Sequence, residues 1–121
     1  MKILVVEPDT TSLASLQRFL IGEGHSVVPA MSSEGALRQA GRTVFDAVLM
    51  SVTPEGRDAV EMLREFKQVD AGLPVIMLAD PATAEKAVDA FKAGALDVLL
   101  KPLNLEYLKD NVLTRVTVRS V

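Results

Sequence analysis

The chain has no cysteine and no tryptophan, one tyrosine and one histidine. Without thiols there is neither a disulfide framework nor a thiolate metal site. Four phenylalanines and the one tyrosine leave little aromatic surface for stacking a flat ligand. Basic residues do not dominate: 13 Lys and Arg against 16 Asp and Glu give a net charge of −3. Their dispersal along the chain excludes a dedicated nucleic-acid surface. No run approaches the ~20 apolar residues of a membrane span. Met1-Lys2 followed by Ile3 to Val6 opens like a signal peptide, but Glu7 and Pro8 cut the apolar run far short of one. The expectation is a cytoplasmic domain with no membrane contact and no direct contact with nucleic acid.

What is present is 49% hydrophobic residues over 121 positions, enough for one domain spanning 1–121 that buries roughly two-thirds of its unfolded surface. No linker, repeat or low-complexity segment divides it. The organising stretch is 44–51, Val-Phe-Asp-Ala-Val-Leu-Met-Ser. Its apolar run, without polar alternation, predicts a strand covered on both faces. Thr53-Pro54-Glu55-Gly56 stops it at once. Ile3-Leu4-Val5-Val6 predicts a first buried strand, ended by Pro8. Val27-Val28 within 25–30 predicts a second, nearer an edge because of Pro29. Leu73 to Ala79 and Leu96 to Leu100 predict the fourth and fifth.

Helices are expected between the strands. Asp9 or Thr10 caps the first, and Leu13, Leu16 and Leu20 form its inner face with Phe19 beside them. Ser32 or Ser33 caps a short, weakly apolar second helix through Ala36, Leu37 and Ala40, ending at Gly41. Ala59, Met62, Leu63 and Phe66 are the i, i+3, i+4, i+7 set of a core-facing helix over 57–69. Asp80-Pro81 reads as a cap with proline at the first helical position, and Ala84, Ala87, Val88 and Phe91 as the next inner face. Asn104 caps a last helix with Leu105, Leu108, Val112 and Val116 inward. His25 has no acidic or histidine partner nearby in sequence and is expected to face solvent. Five strands alternating with five helices predict an α/β fold, a three-layer doubly wound (βα)5 parallel sheet in the flavodoxin-like order 2-1-3-4-5.

In that topology Glu7, Pro8, Ser51, Ala79 and Lys101 lie where strands 1, 3, 4 and 5 end. The chain resembles the receiver domain of bacterial response regulators. The resemblance rests on Ile-Leu-Val-Val-Glu at 3–7, Phe-Asp-Ala-Val-Leu-Met at 45–50 and Leu-Pro-Val-Ile-Met-Leu at 73–78. The most specific stretch is Lys-Ala-Gly-Ala-Leu-Asp-Val-Leu-Leu-Lys-Pro at 92–102. It implies a pocket in which an aspartate ending strand 3 accepts a phosphoryl group from a histidine kinase. Two acids after strand 1 hold Mg²⁺, a hydroxyl residue ends strand 4, and a lysine ends strand 5. Mg²⁺ requires hard oxygen ligands in near-octahedral geometry, and metal and lysine together neutralise the transferring group.

Position by position, this chain departs from that pattern. Ser51 stands at the phosphoacceptor position, and the sequence sets no histidine or second carboxylate near it as an activating base. Pro8 replaces the second acid, Ala79 the hydroxyl residue, and Val98 the usual aromatic switch residue. Ser51 to Pro54 is one residue shorter than the family's spacing. Glu7, Lys101 and Pro102 match, and the resemblance implies a cis Lys101–Pro102 bond. Two like charges ~4 Å apart repel by roughly 4 kcal/mol at an effective dielectric near 20, and relieving that repulsion is what a divalent ion does. Here Glu7 and Lys101 cancel, so weak or no Mg²⁺ binding is expected, with direct Glu7–Lys101 pairing as an alternative closure. Asp9 and Asp80 read as helix caps rather than as a replacement metal site.

Three functions follow as expectations. The first is a pseudo-receiver: not an enzyme, holding no cofactor, and signalling by phosphorylation-independent protein contact. The resemblance implies homodimer or partner contacts through helix 4, strand 5 and helix 5, where Lys86, Asp89, Lys92, Asp97, Lys109, Asp110 and Arg115 give mixed charge. The second is a small-ligand sensor using the vacated pocket. A flavin mononucleotide version lacks a glycine beside Thr10-Thr11-Ser12 to close backbone on phosphate. The third is residual phosphotransfer to Ser51 or a substitute residue.

Overall fold

In the computed structural model, residues 1–119 are described, and they form one five-stranded sheet in the order β2-β1-β3-β4-β5. The strands are β1 (Lys2–Val6), β2 (Ser26–Ala30), β3 (Ala47–Ser51), β4 (Val75–Ala79) and β5 (Asp97–Leu100). All four pairings are parallel. The helices are α1 (Thr10–Gly22), α2 (Ser33–Arg42), α3 (Ala59–Val69), α4 (Ala84–Lys92) and α5 (Leu105–Tyr107). After Tyr107 the chain widens into a π turn over Leu108–Val112 and then tightens into a 3₁₀ turn over Leu113–Arg115. The fold class is the one the alternating pattern predicts.

Side chains of successive strand residues point to opposite faces, and each face has its own core. Leu4, Val6, Val48, Met50, Val75 and Met77 pack with α2, α3 and α4 residues such as Ala36, Met62, Phe66 and Ala87. Ile3, Val5, Leu49, Ile76 and Leu78 pack with Leu13, Leu16 and Leu20 of α1 and with Leu108 and Val112 after α5. Every residue of β3 and β4 is buried, because a strand covered on both sides has no solvent face. The edge strand β2 is only partly buried and tolerates Pro29 because one of its sides makes no ladder.

Caps set most helix starts. Asp9 accepts the Ser12 amide at 3.0 Å, and Ser32 accepts the Gly35 amide at 3.1 Å. Asp58 accepts the Val60 amide at 2.7 Å, and Asn104 the Tyr107 amide at 2.9 Å. Asp80 is not a cap. The fourth helix begins after Thr83, and Asp80 and Thr83 close a turn on each other: the Thr83 amide donates to Asp80 Oδ1 and the Asp80 amide to Thr83 Oγ1, both at 3.1 Å. Pro81 therefore lies in that turn rather than in the first turn of the helix. Val88 and Phe91, expected inside, are 41% and 49% exposed. Ala87, which was expected inside, makes the contact together with Ala90.

The last segment also differs from the regular helix expected through Val116. Helical turns end at Arg115, Leu113 joins the core, and Val116 is buried with extended backbone. His25 is half-buried rather than solvent-facing, with Nδ1 3.0 Å from the Met1 amino group. A partner 24 residues away in sequence is one that local reading does not reach.

Candidate functional site at the strand ends

Strand parity and register assemble the site. β1 and β3 align Val6 with Met50, so the next pair along is Glu7 and Ser51. β4 and β5 align Ala79 with Leu100, which puts Lys101 one step beyond. Glu7 shares the parity of Ile3 and Val5, Ser51 that of Ala47 and Leu49, and Lys101 that of Leu99. All three reference sets belong to the core facing α1 and α5. The three polar side chains therefore rise on one side of the sheet, from the ends of the neighbouring strands β1 and β3 and of β5.

They meet on a single atom. Ser51 Oγ donates to Glu7 Oε1 at 2.7 Å, and Lys101 Nζ donates to the same oxygen at 2.7 Å. Glu7 Oε2 accepts the Asp9 amide at 3.2 Å. Glu7 and Ser51 are 3% and 6% exposed, and the Lys101 side chain is 31% exposed. Sequence reading allowed the Glu7–Lys101 pair but found no carboxylate for Ser51, and that expectation is corrected here. Glu7 is 44 positions away, and only the parallel register between β1 and β3 brings it across.

Around this centre the other positions contribute little polar chemistry. Pro8 is exposed and offers no carboxylate. Ala79 is fully buried, and its carbonyl accepts the Lys101 amide at 2.7 Å. Val98 is half-buried against the core facing α4. The Lys101–Pro102 peptide bond is cis. At the rim, the Asp9 carboxylate is engaged by the Ser12 hydroxyl and amide, which hold its pKa below the ordinary value, with Lys101 adding to the effect. Asp80 is engaged by Thr83.

This donor set does not fit Mg²⁺. The ion needs several oxygen ligands in an octahedral arrangement. Glu7 is the one carboxylate at the centre, and both of its oxygens already accept hydrogen bonds. At the centre the charges of Glu7 and Lys101 oppose each other, and the rim carboxylate of Asp9 is engaged by Ser12.

Of the seven charged residues assigned to the face formed by α4, β5 and α5, three are paired within the chain. Asp97 pairs with Arg115, and Lys109 lies 3.7 Å from Glu23 and 4.0 Å from Glu106. Lys86, Asp89, Lys92 and Asp110 are exposed. Sequence reading missed the exposed apolar residues on the same elements: Val88, Phe91, Leu100 and Tyr107, each 41–57% exposed. Among the described residues no helix is long and apolar enough to cross a membrane.

Residues 3–113 match the family described as response regulator receiver domain. The transcriptional regulatory protein ZraR of Salmonella typhimurium is 38% identical over 110 residues, covering 91% of this chain and 25% of the relative. The transcriptional regulatory protein PrrA of Mycobacterium leprae is 34% identical over 111 residues, covering 92% of this chain and 48% of the relative. The chain thus spans about a quarter to a half of the length of these relatives. A putative response regulator from Chloroflexus aurantiacus superposes with a TM-score of 0.83 at 30% identity, covering 93% of this chain and 94% of that one. A CheY-like receiver domain protein from Methanospirillum hungatei superposes at 0.79 with 29% identity, covering 90% of each chain. Sheet order, the helices on both faces and the match over nearly all of its length make this chain a member of the response regulator receiver family of two-component signalling.

Proposed function

We propose that this receiver domain is a pseudo-receiver: it signals by protein contact, in the cytoplasm, without accepting or transferring a phosphoryl group and without catalytic activity. The observation that carries the reading is the closure of Glu7 by Ser51 and Lys101. A serine beside a carboxylate is the layout of a nucleophile and its base. Here, however, the accepting oxygen is shared with the Lys101 ammonium, so the carboxylate is already engaged in an ion pair. Ser51 is 6% exposed, and its hydroxyl proton is committed to Glu7. The lysine that would neutralise a phosphoryl group is held by Glu7 instead.

The proposed contact surface is the face formed by α4, β5 and α5. Its apolar members are Val88, Phe91, Leu100 and Tyr107, with Lys86, Asp89, Lys92 and Asp110 as its exposed charges. Exposed apolar residues on elements that also carry exposed charges of both signs suit a protein partner or a second copy of the chain.

The test is a titration with Mg²⁺ and beryllofluoride followed by backbone amide NMR. The expected result is no set of shifts clustered on Glu7, Ser51 and Lys101 at millimolar metal. Such a cluster would overturn the reading. The Ser51→Asp variant gives a second arm: incubated with acetyl phosphate and Mg²⁺, it is expected to gain no phosphoryl mass, because Pro8 still denies the metal a ligand.

A further inference from the structure

On the side of the sheet facing α2 and α3, the ends of β1 and β3 border a cleft of about 280 Å³ that the Glu7 closure does not fill. Its floor is Val6 and Met50, each 4% exposed, with Met62 of α3 fully buried beneath. Met31, 53% exposed, overhangs from the loop before α2. Methionine is unbranched and polarisable and repacks readily around an inserted apolar group.

The wall toward the Glu7 site is uncharged. It is made by Pro8 and by Ser51, whose hydroxyl proton is directed at Glu7. Carboxylates at either position would have made an apolar occupant unfavourable there. The rim has the opposite character. Glu34 and Glu55 stand on it, and neither has an ion-pair partner among the described residues. Arg57 is the one cation among the lining residues, and its guanidinium is closed on Glu65 by two hydrogen bonds. Its pKa is raised by Glu65 first, and by Glu61 and Glu34 as well, so the carboxylates around it outnumber it. The volume lies just below the ~300–1,000 Å³ typical of ligand pockets, room for one bulky side chain rather than a nucleotide.

We propose that this cleft docks a basic peptide segment of a partner protein, which inserts one apolar side chain among Met31, Met50 and Met62 and sets Lys or Arg against Glu34 and Glu55. The surface lies over the half of the sheet formed by β2, β1 and β3. It is separate from the face formed by α4, β5 and α5, so the two can fail independently.

Three of the five methionines line the cleft, and Met1 and Met77 lie outside it, which makes methyl NMR a reporter with internal controls. The intact chain, labelled at methionine methyls, is titrated with the blocked peptide Arg-Lys-Leu-Phe-Lys-Arg and with its charge-reversed counterpart Glu-Asp-Leu-Phe-Asp-Glu. The expected result is saturable shifts of Met31, Met50 and Met62 with the basic peptide, little change at Met1 and Met77, and binding of the acidic peptide weaker by about tenfold or more. The Glu34→Gln/Glu55→Gln variant, whose changes are neutral and at exposed rim positions, is expected to lose the preference for the basic peptide with little change in melting temperature. The proposal is overturned by an absence of saturable shifts at the three methyls or by equal response to both peptides. It is equally overturned by shifts at those methyls that track protein concentration without peptide, which would make the occupant a second copy of this chain.

Discussion

Both donors to Glu7 Oε1 reach it at 2.7 Å, yet removing either partner of the ion pair has unequal consequences. In Lys101→Met, a carboxylate that is 3% exposed keeps only neutral donors. Leaving a buried charge without its counter-ion costs about 3–5 kcal/mol in fully buried pairs. Since the Lys101 side chain is 31% exposed, solvent screening reduces this to about 1–3 kcal/mol. In Glu7→Gln, the orphaned ammonium turns to water and the amide oxygen still accepts from Ser51, so the loss should stay below about 1 kcal/mol. Urea unfolding of the two variants checks the order. A glutamine variant less stable than the methionine variant would show that the pair is not limited by desolvation of Glu7. The candidate site was half legible at this scale: Glu7, Ser51 and Lys101 were singled out from their places at strand ends. What linked Ser51 to Glu7 was the register of two strands, which no local spacing encodes.

Among the elements, α3 follows its sequence pattern most closely. Ala59, Met62, Leu63 and Phe66 are all buried, and Asp58 satisfies two amides of the first turn, those of Val60 and Glu61. Asp58→Ala is expected to lower stability by about 1 kcal/mol, the usual cost of an N-cap carboxylate. Phe66→Ala should cost about 3–5 kcal/mol by opening a cavity. Denaturant midpoints at constant m-value measure both, and a cap variant that costs as much as the core variant would mean that Asp58 has a role beyond the first turn. The fourth helix was read less well. Hydrophobicity assigned Val88 and Phe91 to the interior, whereas packing on the sheet selected the smaller Ala87 and Ala90 and left the larger side chains outward. In the last helix, β-branched Val116 and Thr117 favour extended backbone, and the helical turns end before them.

On the scale of the whole molecule, chain ends and turns are tied across the base of the sheet. The Asp46 carboxylate accepts the amides of Lys2 at 2.7 Å and Arg119 at 2.6 Å. The Arg119 guanidinium closes on Asp70 and lowers that carboxyl's pKa. The half-buried His25 lies against the Met1 amino group, and its pKa is lowered from 6.5 by burial first and by that positive charge second, with Glu23 and Asp46 opposing. A lowered folded-state pKa means that the unfolded chain binds the proton more readily. This contribution is therefore fully present above pH 6.5 and is lost as pH falls from there through the folded-state value. Urea unfolding at about pH 7.5 and about pH 5.5 should show stability falling on acidification. His25→Gln should flatten that slope, and an unchanged slope would remove His25 as its source.

The sequence by itself determined the order of strands and helices, the two-sided burial of β3 and β4, and the residues delivered to the strand ends. Unbroken apolar runs and helical spacing are local patterns, and they leave few topologies open. Tertiary structure decided which of those end residues touch, which face of α4 turns inward, and where the fifth helix stops. It also formed the methionine cleft, whose walls come from β1, β3, α3 and the loops before α2 and α3. Each of these depends on distances between segments far apart in the chain. Those distances are set only when two cores pack on opposite sides of one sheet.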